Sequence, residues 1–563
     1  MMSRRTRNAG KTASGLALSR RTTHLRRHFL IVAAIAGAAC VLSAAASAPA
    51  GALGPGPAPD LAAAKQALTI DRAGAAAIVA EAEAAAGLTR ATSTTARAEA
   101  LRRQAQAAQR AHLFTRATAL YGRARALYLE ADDQPGARAC LTATQDVFLV
   151  ASTYPATRAE MLDALAEMYP GVTAEQRAAW LDLPSTERMR WDGVVHYFDD
   201  VPTNLAYRDV ALFQTQPGMV SAYTEIYDKL AAYETGAATA QPWQPYAEPR
   251  AFDFTQTLAV PRDQLPASGD LRVWFPLPIE VGPQDNVRVS EITPTTYLHY
   301  PESTSQDIGL LYMGVPLGEL TGDLNVTFRV QFEHAAQYFK VDPDLVGRYD
   351  ASSALYRQYT ASRGNTRITP SIRRTARRVV GGEANPYLAA QRLYRYVIDN
   401  VLYSHMPHFA MYPRGEAESV YVHEHKYGDC GAQSMYFSAL CRSVGIPARC
   451  TGGFQIFQGT PAGHFWAELY LPNYGWIPVD PTAATIADYI PGLSAAAVGA
   501  FHDFYFGSQD DLRLVVQKDT DLQLIPRADG RILLPLAVQM PAALCDTMDE
   551  IPGLVLMDHW TFE

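Results

Sequence analysis

Three side chains able to do chemistry lie within 51 residues of this 563-residue chain. Cys430 lies in the segment YGDCGAQS (residues 427–434), His464 begins the segment HFWAE, and Asp480 ends the segment GWIPVD (residues 475–480). A thiol, an imidazole and a carboxylate can serve as a nucleophile, a general base and a group that orients the base. We therefore predict that Cys430 attacks a carbonyl carbon, that His464 moves the proton and that Asp480 holds the imidazole.

The residues around Cys430 predict how its thiol is positioned. Residues 426–429 are typical of a turn, and the apolar residues after them have helical spacing up to residue 444. Cys430 is therefore expected at a helix N-terminus, where the helix dipole favours a thiolate. Its backbone N–H would point toward an oxyanion on the attacked carbonyl. Cys441 lies three turns further on the same stripe and is interpreted as a core residue.

His464 begins an alternating run that is typical of a strand, with Trp466 and Glu468 on its own face. The residues PNYG at 472–475 predict a turn, and Asp480 ends the return strand. For His464 and Asp480 to lie opposite each other, the hairpin must be centred near Pro472. A turn centred further along, at residues 473 and 474, predicts a diagonal and less direct contact.

In combination, these motifs resemble the transglutaminase-like core, which has a papain-like fold. The resemblance also rests on GIPAR at 445–449 and PT at 481–482, and RVWFPLP at 272–278 is similar to the β domain that precedes this core in bacterial members. It implies that Cys430, His464 and Asp480 form the catalytic triad. It also implies attack on an amide or peptide carbonyl, a thioester at Cys430, and transfer to an amine or to water. A cysteine peptidase or amidase of the cell envelope and a non-catalytic protein-binding scaffold are the alternative functions.

No cofactor and no metal ion are expected. His423 and His425 precede the motif around Cys430, but no third or fourth ligand has suitable spacing, so a solvated turn is favoured over a zinc site. No calcium-loop pattern is found either. Beyond the first 50 residues the chain has five cysteines, and an odd number leaves at least one thiol unpaired or paired to another chain.

The first 50 residues have the pattern of an export signal. RRHFL at 26–30 opens an apolar run, and small residues follow at 43–50. The arginine pair resembles a twin-arginine signal, with an ordinary secretory signal and an uncleaved anchor as alternatives. We therefore expect an extracytoplasmic protein, either in a bacterial cell envelope or secreted. Membrane contact is expected only through an uncleaved signal.

The charge of the chain bears on its partners. The formal net charge is −8, and the first 50 residues hold eight Lys and Arg and no acidic residue. Without them the net charge is about −16, which argues against nucleic-acid binding. The expected partner is a protein or peptide substrate.

The whole chain predicts an α+β multidomain protein. After the signal (1–50) we expect a linker at 51–59, a helical domain at 60–240, an antiparallel β domain at 243–340, the catalytic core at 350–485 and a C-terminal β extension at 486–563. Ala117, Tyr121 and Ala124 match half of a tetratricopeptide repeat, yet a plain helical bundle is favoured. This helical domain is a candidate for binding a protein partner. In the extension, segments 512–516, 522–525 and 531–538 are predicted strands that pack on the core and shape its cleft.

Overall fold

The computed structural model describes residues 93–528, 539–545, 547 and 558–562. The export signal, the linker, the start of the helical domain and the strand predicted at 531–538 lie outside the described residues. The described chain passes from helices to antiparallel sheets and then to a mixed core, as predicted for an α+β protein. Among its helices, none has both the length and the apolar character needed to cross a bilayer.

Residues 93–240 are mostly helical. Tight turns that contain His112 and Asp132, both with positive φ, separate the first three helices. The residues that suggested a helical repeat are buried in an apolar cluster within this region. The helices are α1 (Thr94–Arg110), α2 (Phe114–Glu130), α3 (Gln134–Thr153), α4 (Arg158–Met168), α5 (Ala174–Asp182), α6 (Val201–Arg208), α7 (Val210–Gln214), α8 (Pro217–Ala231) and α9 (Tyr233–Thr239).

A small antiparallel sheet interrupts these helices, so the expectation of helices throughout 60–240 is wrong at this point. Its strands are β1 (Ala156–Thr157), β2 (Arg188–Trp191) and β3 (Val194–Tyr197), in the order β1-β3-β2. Asp192 and Gly193, both with positive φ, form the tight turn between β2 and β3. Trp191 stacks on His196 across the hairpin at a centroid distance of 3.8 Å. Short strands joined by a two-residue turn give too little periodicity for a prediction from sequence.

The β region follows the helices. Its strands are β4 (Arg250–Val260), β5 (Asp270–Pro276), β6 (Gln284–Thr293), β7 (Leu310–Pro316), β8 (Leu324–His334) and β9 (Gln337–Tyr338). Strand β8 lies between β4 and β6, and β7 pairs with β5, all antiparallel. Alternation of apolar and polar residues at 252–260, 271–275, 287–289 and 325–332 predicts β4, β5, β6 and β8 from the sequence. Strand β7 is not predicted in this way, because its nearly continuous apolar run does not alternate.

The described residues that follow β9 form eight α-helices and nine strands, most of which belong to the core. Its main sheet is antiparallel, in the order β14-β13-β12-β16. The helices are α10 (Ala354–Tyr359), α11 (Pro370–Val380), α12 (Pro386–Asn400), α13 (His408–Arg414), α14 (Glu418–His425), α15 (Cys430–Ser443), α16 (Pro481–Ala484) and α17 (Ala495–Phe504). The strands are β10 (Leu402–Tyr403), β11 (Tyr427–Gly428), β12 (Ala448–Gln455), β13 (Ala462–Leu471), β14 (Gly475–Val479), β15 (Ser508–Gln509), β16 (Arg513–Gln517), β17 (Ala542–Cys545) and β18 (Asp558–Phe562).

The C-terminal extension joins two parts of the molecule. Strand β16 pairs with β12 in the core sheet, which confirms the strand predicted at 512–516. The strand predicted at 522–525 is wrong, because Leu522 and Leu524 instead pack beside Trp274 of the β region. Strands β17 and β18 return to the β region, where they pair with β5 and β4. One apolar cluster accordingly contains residues from both the β region and the core.

Candidate active site

Cys430 is the first residue of α15, as predicted. Asp429 caps this helix, and its Oδ1 accepts a hydrogen bond of 3.0 Å from the backbone N–H of Ala432. Every residue of the helix is buried, and Cys430 itself is 8% exposed. Cys441 lies on the same helix, is fully buried and belongs to the core, which agrees with its interpretation as a packing residue.

Opposing effects act on the thiol of Cys430. Burial and then the charge of Asp429 raise the pKa of Cys430 well above its usual range. The nearby backbone N–H groups of Phe465 and Gly431 act in the other direction and lower the pKa of Cys430. The expectation that the helix start alone favours a thiolate is therefore too simple, since in this closed arrangement burial outweighs it.

The helix start lies against the strand that carries His464. Phe465, the residue after His464, packs its ring against Gly431, where an added Cβ would come within 3.1 Å of that ring. The close approach of α15 to β13 therefore depends on the absence of a side chain at Gly431. It places Cys430 against Phe465, in one buried apolar cluster, and Phe465 is the residue next to His464 on the strand.

His464 and Asp480 are in direct contact. Their Nε2 and Oδ2 atoms are 2.8 Å apart, and both residues are buried. The hairpin of β13 and β14 pairs Leu471 with Gly475, so it is centred on Asn473 and not near Pro472. Of the two arrangements of His464 and Asp480 that the sequence left open, the structure therefore has the diagonal one.

A diagonal placement was expected to make the contact of His464 with Asp480 less direct. That expectation is wrong, because the two side chains are in direct contact. Asp480 leaves β14 and becomes the cap of α16, where its Oδ1 accepts from the backbone N–H of Ala483 at 2.9 Å. The other carboxylate oxygen is then free to meet the imidazole. Because Nε2 of His464 faces Asp480, its Nδ1 is the nitrogen that can serve a thiol.

Arg513 completes this arrangement and was not identified from the sequence. The guanidinium is fully buried on β16 and donates from Nη1 to Oδ2 of Asp480 at 2.6 Å. It also binds Asp510, with 2.7 Å between Nη2 and Oδ2. Burial alone would raise the pKa of Asp480, but His464 and Arg513 outweigh burial and hold that pKa well below its usual range. An arginine inside the apolar run LRLVV at 512–516 was the available signal, because a charge in a buried strand needs a partner.

The helical region helps to enclose the site, which the sequence did not indicate. His464 lines a cavity of about 50 Å³. Its walls include four tyrosines, of which two come from α6 and α8 of the helical region and two from the core: Tyr207, Tyr223, Tyr403 and Tyr489. Tyr489 donates to the backbone oxygen of Tyr207 at 2.6 Å, so the two parts are tied together beside His464.

The remaining histidines and cysteines near the site have structural contacts. His423 and His425 lie on α14, so their interpretation as a solvated turn is wrong. His423 lies 3.0 Å from the hydroxyl of Tyr436, and His425 packs on Tyr421. Within the described residues no group of three or more His, Cys, Asp or Glu is arranged to hold a metal ion. The five described cysteines are all buried and free.

Comparison with known proteins identifies the part of the chain that holds this site. The family model of the transglutaminase-like superfamily matches residues 373–481, which include Cys430, His464 and Asp480. The chain contains a transglutaminase-like core. A protein-glutamine gamma-glutamyltransferase of Pseudomonas aeruginosa is 31% identical over 90 residues. The protein YebA of Bacillus subtilis, which is uncharacterized, is 31% identical over 86 residues.

These similarities are limited to a part of the molecule. The matches cover 14% and 12% of this chain and the same shares of the two relatives, so the chain spans less than a sixth of their lengths. A solved structure from Cytophaga hutchinsonii, provisionally described as a cysteine protease, has a TM-score of 0.35 and 13% identity. It covers 56% of this chain and 92% of its own. The transglutaminase-like core thus stands among helical and β regions that the family model does not cover.

Proposed function

We propose that this protein is an extracytoplasmic thiol acyltransferase. It takes the acyl group of a glutamine carboxamide in a protein substrate and passes it to a primary amine. The contact of 2.8 Å between His464 and Asp480 carries this proposal, because Phe465, the next residue of the same strand, packs with Cys430 in one buried apolar cluster. The name of the Pseudomonas aeruginosa relative supports the choice of glutamine. The sequence pattern of residues 1–50 supports the location.

The first half of the reaction is acylation of Cys430. Nδ1 of His464 accepts the thiol proton, and the sulfur attacks the carboxamide carbon. The backbone N–H of Cys430 has no acceptor within its helix and can donate to the oxyanion. When the tetrahedral intermediate collapses, the C–N bond breaks and the imidazolium protonates the departing NH2 group, which leaves as ammonia. A thioester on Cys430 results.

The second half of the reaction returns the enzyme to its starting state. The amine attacks the thioester carbon while His464 accepts the proton that the amine loses. The C–S bond then breaks, Cys430 leaves as a thiolate, and the imidazolium returns its proton to the sulfur. Asp480 keeps Nε2 of His464 in place through both halves and stabilises the imidazolium in each.

The enclosure of the site favours an amine over water as the acceptor. Cys430 is 8% exposed, and the cavity beside His464 is small, at about 50 Å³, with both aromatic and polar side chains in its walls. Such a cavity holds little water, and hydrolysis of a reactive intermediate is slower where water is excluded. Hydrolysis, which would make the protein a peptidase or amidase, is the competing outcome.

The proposal is tested with the full chain and casein whose lysines have been methylated. Incubation with a fluorescent primary amine should label casein at glutamine and release one ammonia for each label. Cys430→Ala should abolish both signals. Cys441→Ala, which changes a buried thiol on the same helix, is the matched control and should retain activity.

The other outcomes of this experiment distinguish the alternatives. New peptide termini in casein would identify a peptidase, and ammonia release without amine incorporation would identify an amidase. Neither signal, together with equal iodoacetamide labelling of the wild type and Cys430→Ala, would leave only the scaffold function. In that case the helical region would be the part that binds a protein partner.

A further inference from the structure

A second group of buried histidine and carboxylate side chains lies next to Cys430. His408, at the start of α13, contacts Oε1 of Glu418 through Nδ1 at 2.9 Å. Its Nε2 contacts Oδ2 of Asp429, the residue that precedes the nucleophile. The other oxygen of Asp429 caps α15. His408 therefore bridges two carboxylates, one of which fixes the start of the nucleophile helix.

The charges in this group bear directly on the thiol. Asp429 is adjacent to Cys430 in the chain, and its negative charge disfavours a thiolate there. Burial alone would lower the pKa of His408, but the two carboxylates outweigh burial and raise that pKa well above its usual range. His408 is thus an imidazolium at neutral pH, and its charge offsets that of Asp429.

We propose that His408 is a positioning residue of this active site, which holds the Asp429 cap and neutralises its charge so that Cys430 can become a thiolate. The role rests on the proposed function, because it concerns the reactivity of the same sulfur. His408 acts only through Asp429 and touches no reacting atom in the mechanism above. Neither the family match nor the sequence pattern assigns it a role.

Other titratable groups face this position and belong to the same balance. His405 lies on the segment that precedes α13, and its Nδ1 is 3.2 Å from Oδ2 of Asp200, just before α6. Burial and the neighbouring Asp200 raise the pKa of Asp199 to about 7. These groups extend the buried network toward the helical region. Of the histidines in this network, His408 is the one whose contact with Asp429, the cap of α15, the structure shows.

The test is the rate of alkylation of Cys430 by iodoacetamide in the full chain, measured from pH 5 to pH 10. Mass spectrometry of the peptide that contains Cys430 separates it from the other thiols. His408→Asn should slow alkylation at pH 7 by at least about tenfold, which corresponds to one pKa unit. His408→Lys, which keeps a cation, should stay within about threefold of the wild type. His423→Asn, which changes a histidine that contacts α15 nearly two turns from Cys430, should leave the profile unchanged.

A double-variant cycle separates this role from a merely structural one. Asp429→Asn keeps a capping side chain and removes the charge, so it should shift the midpoint of the profile to lower pH. In the double variant of His408→Asn and Asp429→Asn, alkylation should return to within about threefold of Asp429→Asn alone. A structural role would leave the double variant as slow as His408→Asn.

Three results would overturn the proposal: an unchanged profile in His408→Asn, a double variant that stays slow, or a midpoint that moves to higher pH in Asp429→Asn. The last of these applies even if His408→Asn does not fold. Failure of the proposed function is recognised separately in the casein experiment, because the wild-type protein would then incorporate no amine, whatever the alkylation profile of Cys430.

Discussion

Replacement of Arg513 by methionine tests how the site is held together. The guanidinium is fully buried, and it lies between the carboxylates of Asp480 and Asp510. Methionine has a similar length and no charge, so the variant leaves two buried carboxylates without their cation. Asp480 keeps its contact with His464 but loses the donor on the same oxygen.

The expected loss of stability follows from this burial. Removing one partner of a buried ion pair costs about 3–5 kcal/mol, and with two carboxylates affected we expect the upper end. In a cooperative unit of about 150–250 residues, the size of the core, each kcal/mol lowers the melting temperature by roughly 2–4 °C, so the transition of the core should fall by roughly 10–20 °C. The reactivity should fall too. If one charge-assisted hydrogen bond, about 1.5–3 kcal/mol, serves to place Asp480, acylation slows roughly 10–150-fold.

Two measurements check the Arg513→Met prediction. Calorimetry gives the melting temperature, and the burst of p-nitrophenol from an acetyl ester gives the rate of acylation. Arg449→Met is the matched control, because Arg449 is also buried in the core sheet and pairs with Glu468 but contacts neither His464 nor Asp480. It should lose similar stability and retain acylation well below its melting temperature.

The reasoning about Arg513 would be refuted by a melting temperature within 2 °C of the wild type. It would be refuted equally by Arg449→Met losing as much acylation as Arg513→Met. The double variant of Arg513→Met and Asp510→Asn adds a check, because it removes one of the two unpaired charges. It should recover part of the lost stability, since only Asp480 then lacks its cation.

Three further predictions concern Asp480, His408 and Gly453. Asp480→Asn keeps the cap of α16 and should lower the ester burst by roughly 10²–10⁴-fold with the circular dichroism spectrum unchanged, because the imidazole loses its orienting charge. Because the pKa of His408 is raised, its stabilising contribution is fully present below about pH 6.5 and is lost as the pH rises through the raised value. The difference in melting temperature between the wild type and His408→Asn should therefore be largest in mild acid and shrink with rising pH. A constant difference would contradict this. Gly453→Ala should destabilise the protein by roughly 1–3 kcal/mol in urea unfolding, because the added Cβ would lie 2.0 Å from the backbone oxygen of Leu514 on β16. Gly122→Ala is the control, since Gly122 lies in open space on α2, and it should be neutral or stabilising.

Local signals in the sequence identified much of the core. An asparagine able to cap a helix, followed by a proline suited to the first helical position, predicts from the sequence that α12 starts at Asn385 and Pro386. Asn385 does accept hydrogen bonds from the N–H groups of Tyr387 and Leu388. The apolar face that the sequence predicts for this helix is buried, and its residues are Ala390, Leu393, Tyr394, Val397 and Val401. The start of α15 at Cys430 was predicted as well. In each case, capping chemistry and apolar spacing are set by residues close together in the chain.

Contacts between distant segments could not be predicted in the same way. Arg513, His408 and the tyrosines around His464 reach the site from separate elements, and nothing in their own neighbourhoods indicates which partner they meet. The contact of His464 with Asp480 shows the same limit. The contact depends on the register that the three-residue turn at 472–474 sets and on the residue at which the chain leaves β14. A change of one residue in either would alter the contact, and the sequence does not determine them to that precision.

The path of the last strands has a consequence for biosynthesis. Strand β4 receives its outer partner from β18, in which Asp558 pairs with Leu258 from 300 residues earlier. While the ribosome is still making the core sheet, β4 still lacks β18 and β5 still lacks β17, so both strands have an open edge that can pair wrongly. Pairing over so large a separation is also slow. The nascent polypeptide therefore emerges with Cys430 already synthesised but with the sheets of its β region incomplete. A chaperone that shields β4 and β5 during that interval should raise the yield of native protein.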